Sequence, residues 1–175
     1  AIAAMEPTAI VSSPLGRARQ TADVLSAAVG VDVRVDQGLV ERSFGMWEGL
    51  ERLRIERTWP DQFAVWRAGG DPEGVGVETR GDTATRVGVA MEDIAAEAGE
   101  ATVVVVAHGA AITLGVTRLL DLDPSAWFGL RGLDNCHYAV LSSAERSPGW
   151  RIVHWNRGEG WAAPAASAAL GGFLS

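Results

Sequence analysis

One stretch of the sequence, TVVVVAHGAAITLGVTRLL at residues 102–120, constrains the fold more than any other. Its first part, residues 103–107, is a continuous Val-rich run, which is typical of a central parallel strand covered on both faces. His108 and Gly109 follow at once, and the residues after them are apolar on almost every side, as in a buried helix. A titratable residue at the carboxyl end of such a strand lies where open α/β sheets bind ligands.

Strand-like and helix-like patterns alternate along the rest of the chain, which predicts an α/β fold. Ser13 and Pro14 form a helix-start signal, with Ser as the cap and Pro in the first turn, and Gly30 is the predicted end of that helix. Residues 37–50 are rich in Gly and aromatic side chains and are predicted as a functional loop. The other predicted elements are strands at 8–11, 31–35, 135–141 and 150–155, a helical stretch at 51–67 broken at Trp59-Pro60, and a helix at 79–98.

The length and composition indicate one domain, since 175 residues that are 47% hydrophobic can bury a sizeable core. From residue 158 the sequence becomes rich in Ala, Gly and Pro. We therefore expect a single domain over residues 1–157 and a tail or loosely packed extension over 158–175.

The charge balance excludes several classes of function. The formal net charge is −7, and nucleic-acid or anionic-membrane binding depends on basic side chains that neutralise phosphates. All 15 basic residues are Arg, so mechanisms that need a lysine, such as a Schiff base or a P-loop, are excluded. Any positive charge that binds an anionic ligand must be local.

The remaining composition favours a cytoplasmic protein. The single Cys136 cannot form an internal disulfide, no apolar run is long enough to span a membrane, and the first residues do not resemble a signal peptide. The three histidines and the cysteine are scattered, which predicts no metal site.

Three residues are candidates for chemistry, each with a structural alternative. His108, at its strand end, is an acid, a base, a ligand or a hydrogen-bonded structural residue. Arg17, in SPLGRARQTA, lies in the first turn of a helix, where free N–H groups and a guanidinium suit a phosphate, unless it is a surface residue, as we expect for Arg19. Glu41, in VERSFGMWEG, is either a general acid in an aromatic loop or a solvated residue. Glu48 competes with it, although its position favours a structural role.

These segments together resemble the histidine phosphatase superfamily, also called the phosphoglycerate mutase-like family. SPLGRARQTA, VERSFGMWEG and VVVVAHGAAI resemble three of its blocks in the family's order, and NCHYAVL resembles the strand that follows. The similarity spans residues 8–155. It implies a three-layer α/β/α sandwich with a mostly parallel central sheet, from which the first strand is missing.

The resemblance implies a mechanism in which a histidine attacks a phosphoryl group and water resolves the phosphohistidine. Arg17 would hold the phosphoryl oxygens, His108 would stabilise the transferring group, and Glu41 would protonate the leaving oxygen. Arg42 and Gly109 are weaker candidates for substrate contact. No cofactor and no metal are implied. We expect the ligand to be a small phosphorylated substrate or inorganic phosphate, and we expect binding to neither nucleic acid nor membrane. The one protein partner to test is a second copy of the chain, in a homodimer.

One departure from the family pattern is serious. The family's nucleophile lies in an Arg-His-Gly motif near the N-terminus, and no such motif occurs here; His108, His137 and His154 are the only histidines. The lacking segment would be on the order of 40 residues at usual element lengths. We expect the nucleophile upstream of Ala1, with a truncated or incompletely resolved N-terminus as the explanation.

The expected function is therefore hydrolysis of a small-molecule phosphomonoester, provided that the full-length protein carries the motif. Two alternatives stay open: phosphoryl transfer of the phosphoglycerate mutase type, and a non-catalytic protein that only binds a phosphorylated ligand. The sequence does not identify the substrate.

Overall fold

The computed structural model describes residues 1–158. The Ala/Gly/Pro-rich tail predicted for 158–175 lies outside the described residues except for its first residue. Within the described part no helix is long and apolar enough to cross a membrane.

A three-stranded parallel sheet organises the fold. Its strands are β1 (Ala9–Ser12), β2 (Val33–Val35) and β3 (Val103–Val106), in the order β2-β1-β3. β1 pairs with β3 over its whole length, from Ala9 opposite Val103 to Ser12 opposite Val106. The Val-rich strand was expected at the centre, but among the described residues β1 is central and β3 lies at the edge, with all four of its residues half-buried.

Three helices pack around this sheet: α1 (Gly16–Val29), α4 (Arg80–Ala98) and α5 (Gly109–Leu119). α1 contacts all three strands, and α4 packs against α5 and β3. The main core cluster joins β1, a 3-10 turn, α4 and α5, and its buried members are Val11, Leu39, Val87, Ala90, Ile94 and Ala111. The apolar positions on α4 recur every three or four residues, which is why this helix buries one face.

The predicted start of α1 is wrong in detail. The helix begins at Gly16, with Leu15 at the cap position and no side-chain cap. The Ser13 hydroxyl accepts the Leu15 N–H at 3.3 Å and lies 2.8 Å from His108 Nε2. His108, 95 residues further along the chain, thus contacts the hydroxyl that the local sequence pattern assigns to a helix cap. The end of α1 is as predicted, since Gly30 adopts a left-handed φ of 74°.

The loop and helices after β2 follow the sequence pattern. α2 (Arg52–Thr58) and α3 (Pro60–Arg67) are separated at the predicted break, because proline cannot donate to a preceding turn. The loop between β2 and α2 contains two short 3-10 turns, Gln37–Leu39 and Gly45–Trp47. Gly45 is required there, since its φ is 53° and a Cβ would meet the backbone of Gly76.

The C-terminal strands form a separate sheet. β4 (Tyr138–Ser143) and β5 (Trp150–Arg157) pair antiparallel with each other, and in the described part of the chain they do not join the parallel sheet. The predicted strand at 135–141 begins too early because residues 134–137 turn. The His137 N–H donates to the Asp134 carbonyl at 3.1 Å, and Cys136 has a φ of 61°.

α4 and α5 can pack closely because the residue at their contact, Gly115, has no side chain. A Cβ at this position would lie 2.6 Å from Cγ1 of Val87, a fully buried and β-branched residue that has no room to yield. We expect Gly115→Ala to lower the free energy of unfolding by about 1–2 kcal/mol, since overpacking outweighs the gain in helix propensity. Urea unfolding followed by circular dichroism measures this change.

The matched control is Gly16→Ala at the start of α1, where an added Cβ meets nothing within 4 Å. It should be neutral or slightly stabilising. If Gly115→Ala were as stable as the parent, α4 and α5 would be able to move apart and admit the methyl group at little cost in free energy.

Candidate active site

The candidate site lies at the carboxyl ends of β1 and β3, where α1 and α5 begin. The Ser13 N–H donates to the Val106 carbonyl at 2.8 Å and extends the pairing of the two strands by one step. His108 is at the cap position of α5, with its carbonyl accepting the Ile112 N–H at 2.8 Å. The carboxyl ends of the parallel strands, where the sequence predicts a ligand site, therefore bring two strand ends and two helix N-termini together.

His108 is held at both ring nitrogens. Arg17 Nε donates to Nδ1 at 3.1 Å, and Nε2 lies 2.8 Å from the Ser13 hydroxyl. Because Nδ1 accepts, the neutral ring carries its proton on Nε2, which donates to Ser13. The side chain is only 7% exposed.

The surroundings of His108 disfavour its charged form. Burial lowers the pKa of the imidazole, the positive charge of Arg17 lowers it further, and Glu41 opposes both effects. In the absence of an anion the ring is therefore neutral at neutral pH.

Glu41 is tied to the same helix as His108. Its Oε1 accepts the Ala111 N–H of α5 and the Arg42 N–H, both at 2.9 Å. A carboxylate at a helix N-terminus is stabilised by the free N–H groups and by the helix dipole. Among the described residues Oε2 accepts no hydrogen bond, so one oxygen of the carboxyl group is left for a substrate.

Arg17 and Gly109 offer donors to an anion. Arg17 is the second residue of α1, and of its guanidinium nitrogens only Nε has a partner in the described part of the chain. The N–H groups of Gly109 and Ala110, in the first turn of α5, also lack a partner there. Free helix N-terminal amides beside a guanidinium are a common arrangement for binding phosphate.

Arg42 has a different environment from the one expected. Its guanidinium is 4% exposed, forms an ion pair with Asp71 at 2.7 Å and donates from Nε to the Glu78 carbonyl at 2.7 Å. Burial lowers the pKa of this guanidinium, and the charges of Asp71 and Glu78 raise it. Nothing in the described residues joins the Arg42 guanidinium to Arg17 or His108, so its contact with substrate stays a prediction.

Glu48 has the structural role that its position favours. Its Oε1 accepts from the Ser43 hydroxyl at 2.9 Å and from the Phe44 N–H at 3.0 Å. The hydrogen bond from Ser43, followed by those from the backbone, lowers the pKa of Glu48. Arg19, as expected, faces elsewhere and pairs with Asp23 at 3.5 Å.

A cleft of about 700 Å³ opens beside Arg17 and Glu41, and its outer wall was not predicted. Arg52 lies over the ring of Phe63, with its Cζ 5.7 Å from the ring centroid, and has no carboxylate partner in residues 1–158. The apolar and aromatic lining is Leu15, Val40, Phe44, Trp47, Leu50, Ile55, Phe63 and Trp66. The aromatic content of residues 44–66 was a usable signal, but the sequence did not indicate which side chains face the cleft.

The buried residue Trp47 marks the inner part of this wall. It packs edge-on against Phe63 and Trp66, with ring centroids 6.4 Å and 6.2 Å away. Its Nε1 is buried and has no hydrogen-bond partner within residues 1–158. Ser13 is a second residue that sequence reasoning missed, since only the fold brings its hydroxyl to His108.

The described residues contain no group of three or more His, Cys, Asp or Glu side chains placed to hold a metal ion. Positive charge at the site comes instead from Arg17 and from the α5 amides.

Comparison with known proteins gives a family match over the whole described chain. The profile of the histidine phosphatase superfamily (branch 1) matches residues 1–158. Glucosyl-3-phosphoglycerate phosphatase of Mycobacterium tuberculosis is 34% identical over 166 residues, which cover 86% of this chain and 74% of that protein. A probable phosphoglycerate mutase of Citrobacter koseri is 31% identical over 156 residues, covering 83% and 69%.

A solved structure agrees with the sequence relatives. The mycobacterial glucosyl-3-phosphoglycerate phosphatase in complex with inorganic phosphate superposes with a TM-score of 0.78 at 32% identity. The match covers 90% of this chain and 80% of that one.

The environment of His108 predicts a measurable titration. We expect the pKa of His108 to lie below that of an exposed histidine, and Arg17→Gln to raise it part of the way, since the like charge is removed and the burial remains. The three histidines of the chain can be followed separately by their ring carbon–proton NMR signals.

The matched control is Arg19→Gln, two residues further along α1, whose charge is paired with Asp23. It should leave the His108 titration unchanged. If Arg17→Gln left the pKa unchanged as well, the hydrogen bond from Arg17 to Nδ1 would not persist in solution.

Proposed function

This chain belongs to the histidine phosphatase superfamily (branch 1), and we propose that its cleft hydrolyses the phosphomonoester of a small acidic molecule through a phosphohistidine. The observation that carries the proposal is the direct hydrogen bond from Arg17 to His108 beside a carboxyl group, Glu41, that is anchored to the same helix as His108. Arg17 and Glu41 both line the cleft, and His108 is hydrogen-bonded to Arg17, so donors for the phosphoryl oxygens and an acid for the leaving oxygen lie close together.

Each residue has a defined role in the proposed reaction. Arg17 and the first amides of α5 bind the phosphoryl oxygens, and His108 stabilises the charge on the transferring group. Phosphorus moves from the ester oxygen to the nitrogen of the nucleophilic histidine expected in an Arg-His-Gly motif, and Glu41 gives a proton to the departing alkoxide. Glu41 then takes a proton from the water that breaks the nitrogen–phosphorus bond.

The neutral state of His108 fits this role. A bound phosphoryl dianion places negative charge beside the imidazole, which raises its pKa and favours proton uptake. Arg17 can then turn its guanidinium from Nδ1 to the phosphoryl oxygens, so that both donors face the anion. Binding therefore replaces a hydrogen bond between Arg17 and a neutral ring with two contacts between opposite charges.

The cleft wall favours a substrate with a second anionic group. Arg52 carries a charge without a carboxylate partner in the described chain, although the protein has a net charge of −7. The relative named above acts on glucosyl-3-phosphoglycerate. We therefore propose a phosphorylated carboxylic acid, such as a phosphoglycerate derivative, with Arg52 as the receptor for its carboxylate.

Phosphoryl transfer between two positions of a glycerate is the second candidate, because a probable phosphoglycerate mutase is among the relatives. A mutase must retain its intermediate under a lid. The segment between Gly49 and Thr79 contains only α2, α3 and a short loop, which favours hydrolysis.

We also propose a metal-independent reaction in the cytoplasm. Arg17, His108 and the α5 amides supply the positive charge that phosphoryl transfer requires. The free, exposed Cys136 thiol suits a reducing compartment. A homodimer remains a proposal that sedimentation of the purified protein can test.

The role of Arg17 predicts a large loss of activity on substitution. In a chain that includes the Arg-His-Gly segment, we expect p-nitrophenyl phosphate to be hydrolysed in the presence of EDTA, with an acid-labile phosphoryl group on the enzyme. Arg17→Ala should lower kcat/KM by about 10²–10³-fold, the usual cost of removing a donor to a developing anion.

Arg19→Ala is the control and should retain the parent activity, since Arg19 points away from the site to Asp23. Parent-level activity in Arg17→Ala would contradict the assignment. Absence of both turnover and the acid-labile group in the extended chain would leave phosphate binding without catalysis as the function.

The proposed substrate class predicts the products and the effect of Arg52→Ala. With 3-phosphoglycerate we expect ³¹P NMR to show release of inorganic phosphate rather than an isomeric phosphoglycerate. Arg52→Ala should raise KM for this substrate about tenfold, the loss of one charge-assisted contact, and leave KM for p-nitrophenyl phosphate unchanged.

Arg54→Ala on the same helix is the control, because Arg54 is exposed and does not line the cleft. An equal rise of KM for both substrates would show that Arg52 does not select the carboxylate. Accumulation of an isomer in place of phosphate would favour the mutase.

A further inference from the structure

Arg86, on α4, donates from one guanidinium nitrogen to the segment that leads to Glu41 and from the other two to Glu78. Nη1 donates to the carbonyls of Gly38 at 2.9 Å and Val40 at 3.0 Å. Nε and Nη2 donate to the two carboxylate oxygens of Glu78 at 3.1 Å and 2.9 Å. The residue directly before Glu41 is therefore bound to a helix of the core.

Glu78 holds the other side of Glu41. Its Oε2 accepts the Ser43 N–H at 3.1 Å, and its own N–H donates to the Ser43 carbonyl at 2.9 Å. Its carbonyl accepts from Arg42 Nε at 2.7 Å. Residues 38–43 are thus held on both sides of Glu41, and Arg86 and Glu78 are joined to each other by a bidentate pair.

The pair is well suited to hold this geometry. The side chains of Arg86 and Glu78 are 26% and 19% exposed, so they are largely shielded from solvent. Burial raises the pKa of Glu78, but the hydrogen bonds from Arg86 and Ser43 and the charge of Arg86 keep it below the ordinary value. Removing Arg86 leaves a shielded carboxylate and two loop carbonyls without their donor. Removing Glu78 leaves a shielded guanidinium and the Ser43 N–H without its acceptor, and both losses are costly.

We propose that Arg86, through Glu78, is a positioning residue that aims the Glu41 carboxyl group at the leaving oxygen of the substrate. The inference rests on the proposed function, in which Glu41 is the general acid. Backbone displacements of about 1 Å can cost on the order of 10²-fold in rate when they misplace a reacting group. A displacement of residues 38–40 after loss of the Arg86 contacts would therefore slow proton transfer from Glu41.

Leaving-group dependence tests the inference, because a general acid matters most when the departing oxygen is strongly basic. The chain that includes the Arg-His-Gly segment is assayed with an alkyl phosphate and with p-nitrophenyl phosphate, whose leaving group needs little protonation. Arg86→Gln should lower kcat/KM, which covers the steps up to the first phosphoryl transfer and not the later attack of water, about 10–100-fold more for the alkyl phosphate than for the aryl phosphate. Arg86→Lys should recover part of this loss.

Arg34→Gln is the matched control. Arg34 pairs with Glu97, which lies on α4 as Arg86 does, but this pair is at the surface and away from residues 38–43. It should leave both rates unchanged. Glu78→Gln is the second variant, which removes the charge of the pair with little change in shape, and it should show the same selective loss as Arg86→Gln. It keeps the test available if Arg86→Gln does not fold.

Two results would overturn the inference in different ways. An equal fall of both rates in the Arg86 and Glu78 variants, together with a selective fall in Glu41→Gln, would show that the pair only stabilises the fold. An equal fall of both rates in Glu41→Gln itself would remove the acid role of Glu41, and with it both this part of the proposed function and the positioning role.

Discussion

The hydrogen bonds at the two ring nitrogens of His108 are the interaction on which the site depends. They join the residue after β1, the first turn of α1 and the start of α5, three places that are distant in sequence. Because the ring is buried, neither contact can be replaced by water without cost. The position of His108 therefore sets where the two helix N-termini lie and where an anion can bind.

Electrostatics in this chain are local. The net charge is −7, yet arginines gather around the cleft and the loop beside it. They differ in partners: Arg42 and Arg86 are paired with carboxylates and hold the loop, whereas Arg17 donates to an imidazole. An arginine that a carboxylate neutralises stabilises structure, and one without such a partner in the described residues remains able to bind an anion.

Local sequence patterns predicted many helices and strands correctly, and they failed where contacts between residues distant in sequence decide the structure. The break at Trp59-Pro60, the cap at Gly30 and the strand before His108 follow from proline, glycine and valine chemistry, which acts over a few residues. The start of α1 differs, since the helix begins at Gly16 and the Ser13 hydroxyl contacts both the Leu15 N–H and His108. In the part of the chain that the structure describes, β3 lies at an edge and β4 and β5 form their own sheet, and the alternation of polar and apolar residues indicated neither.

The sequence by itself determined the α/β class, the family resemblance, and the choice of Arg17, Glu41 and His108 as candidate site residues, because these depend on residue types in short ordered motifs. Only the tertiary structure decided the proton position on His108, the anchoring of Glu41 to α5 and the different environments of Arg42 and Arg52. A hydrogen bond or ion pair depends on distances between segments that the fold brings together, and no local pattern contains those distances. The effect that we propose for Arg86 and Glu78 also depends on such distances. Arg86 acts on Glu41 through the carbonyls of Val40 and Gly38, which lie 46 and 48 residues before Arg86 in the chain.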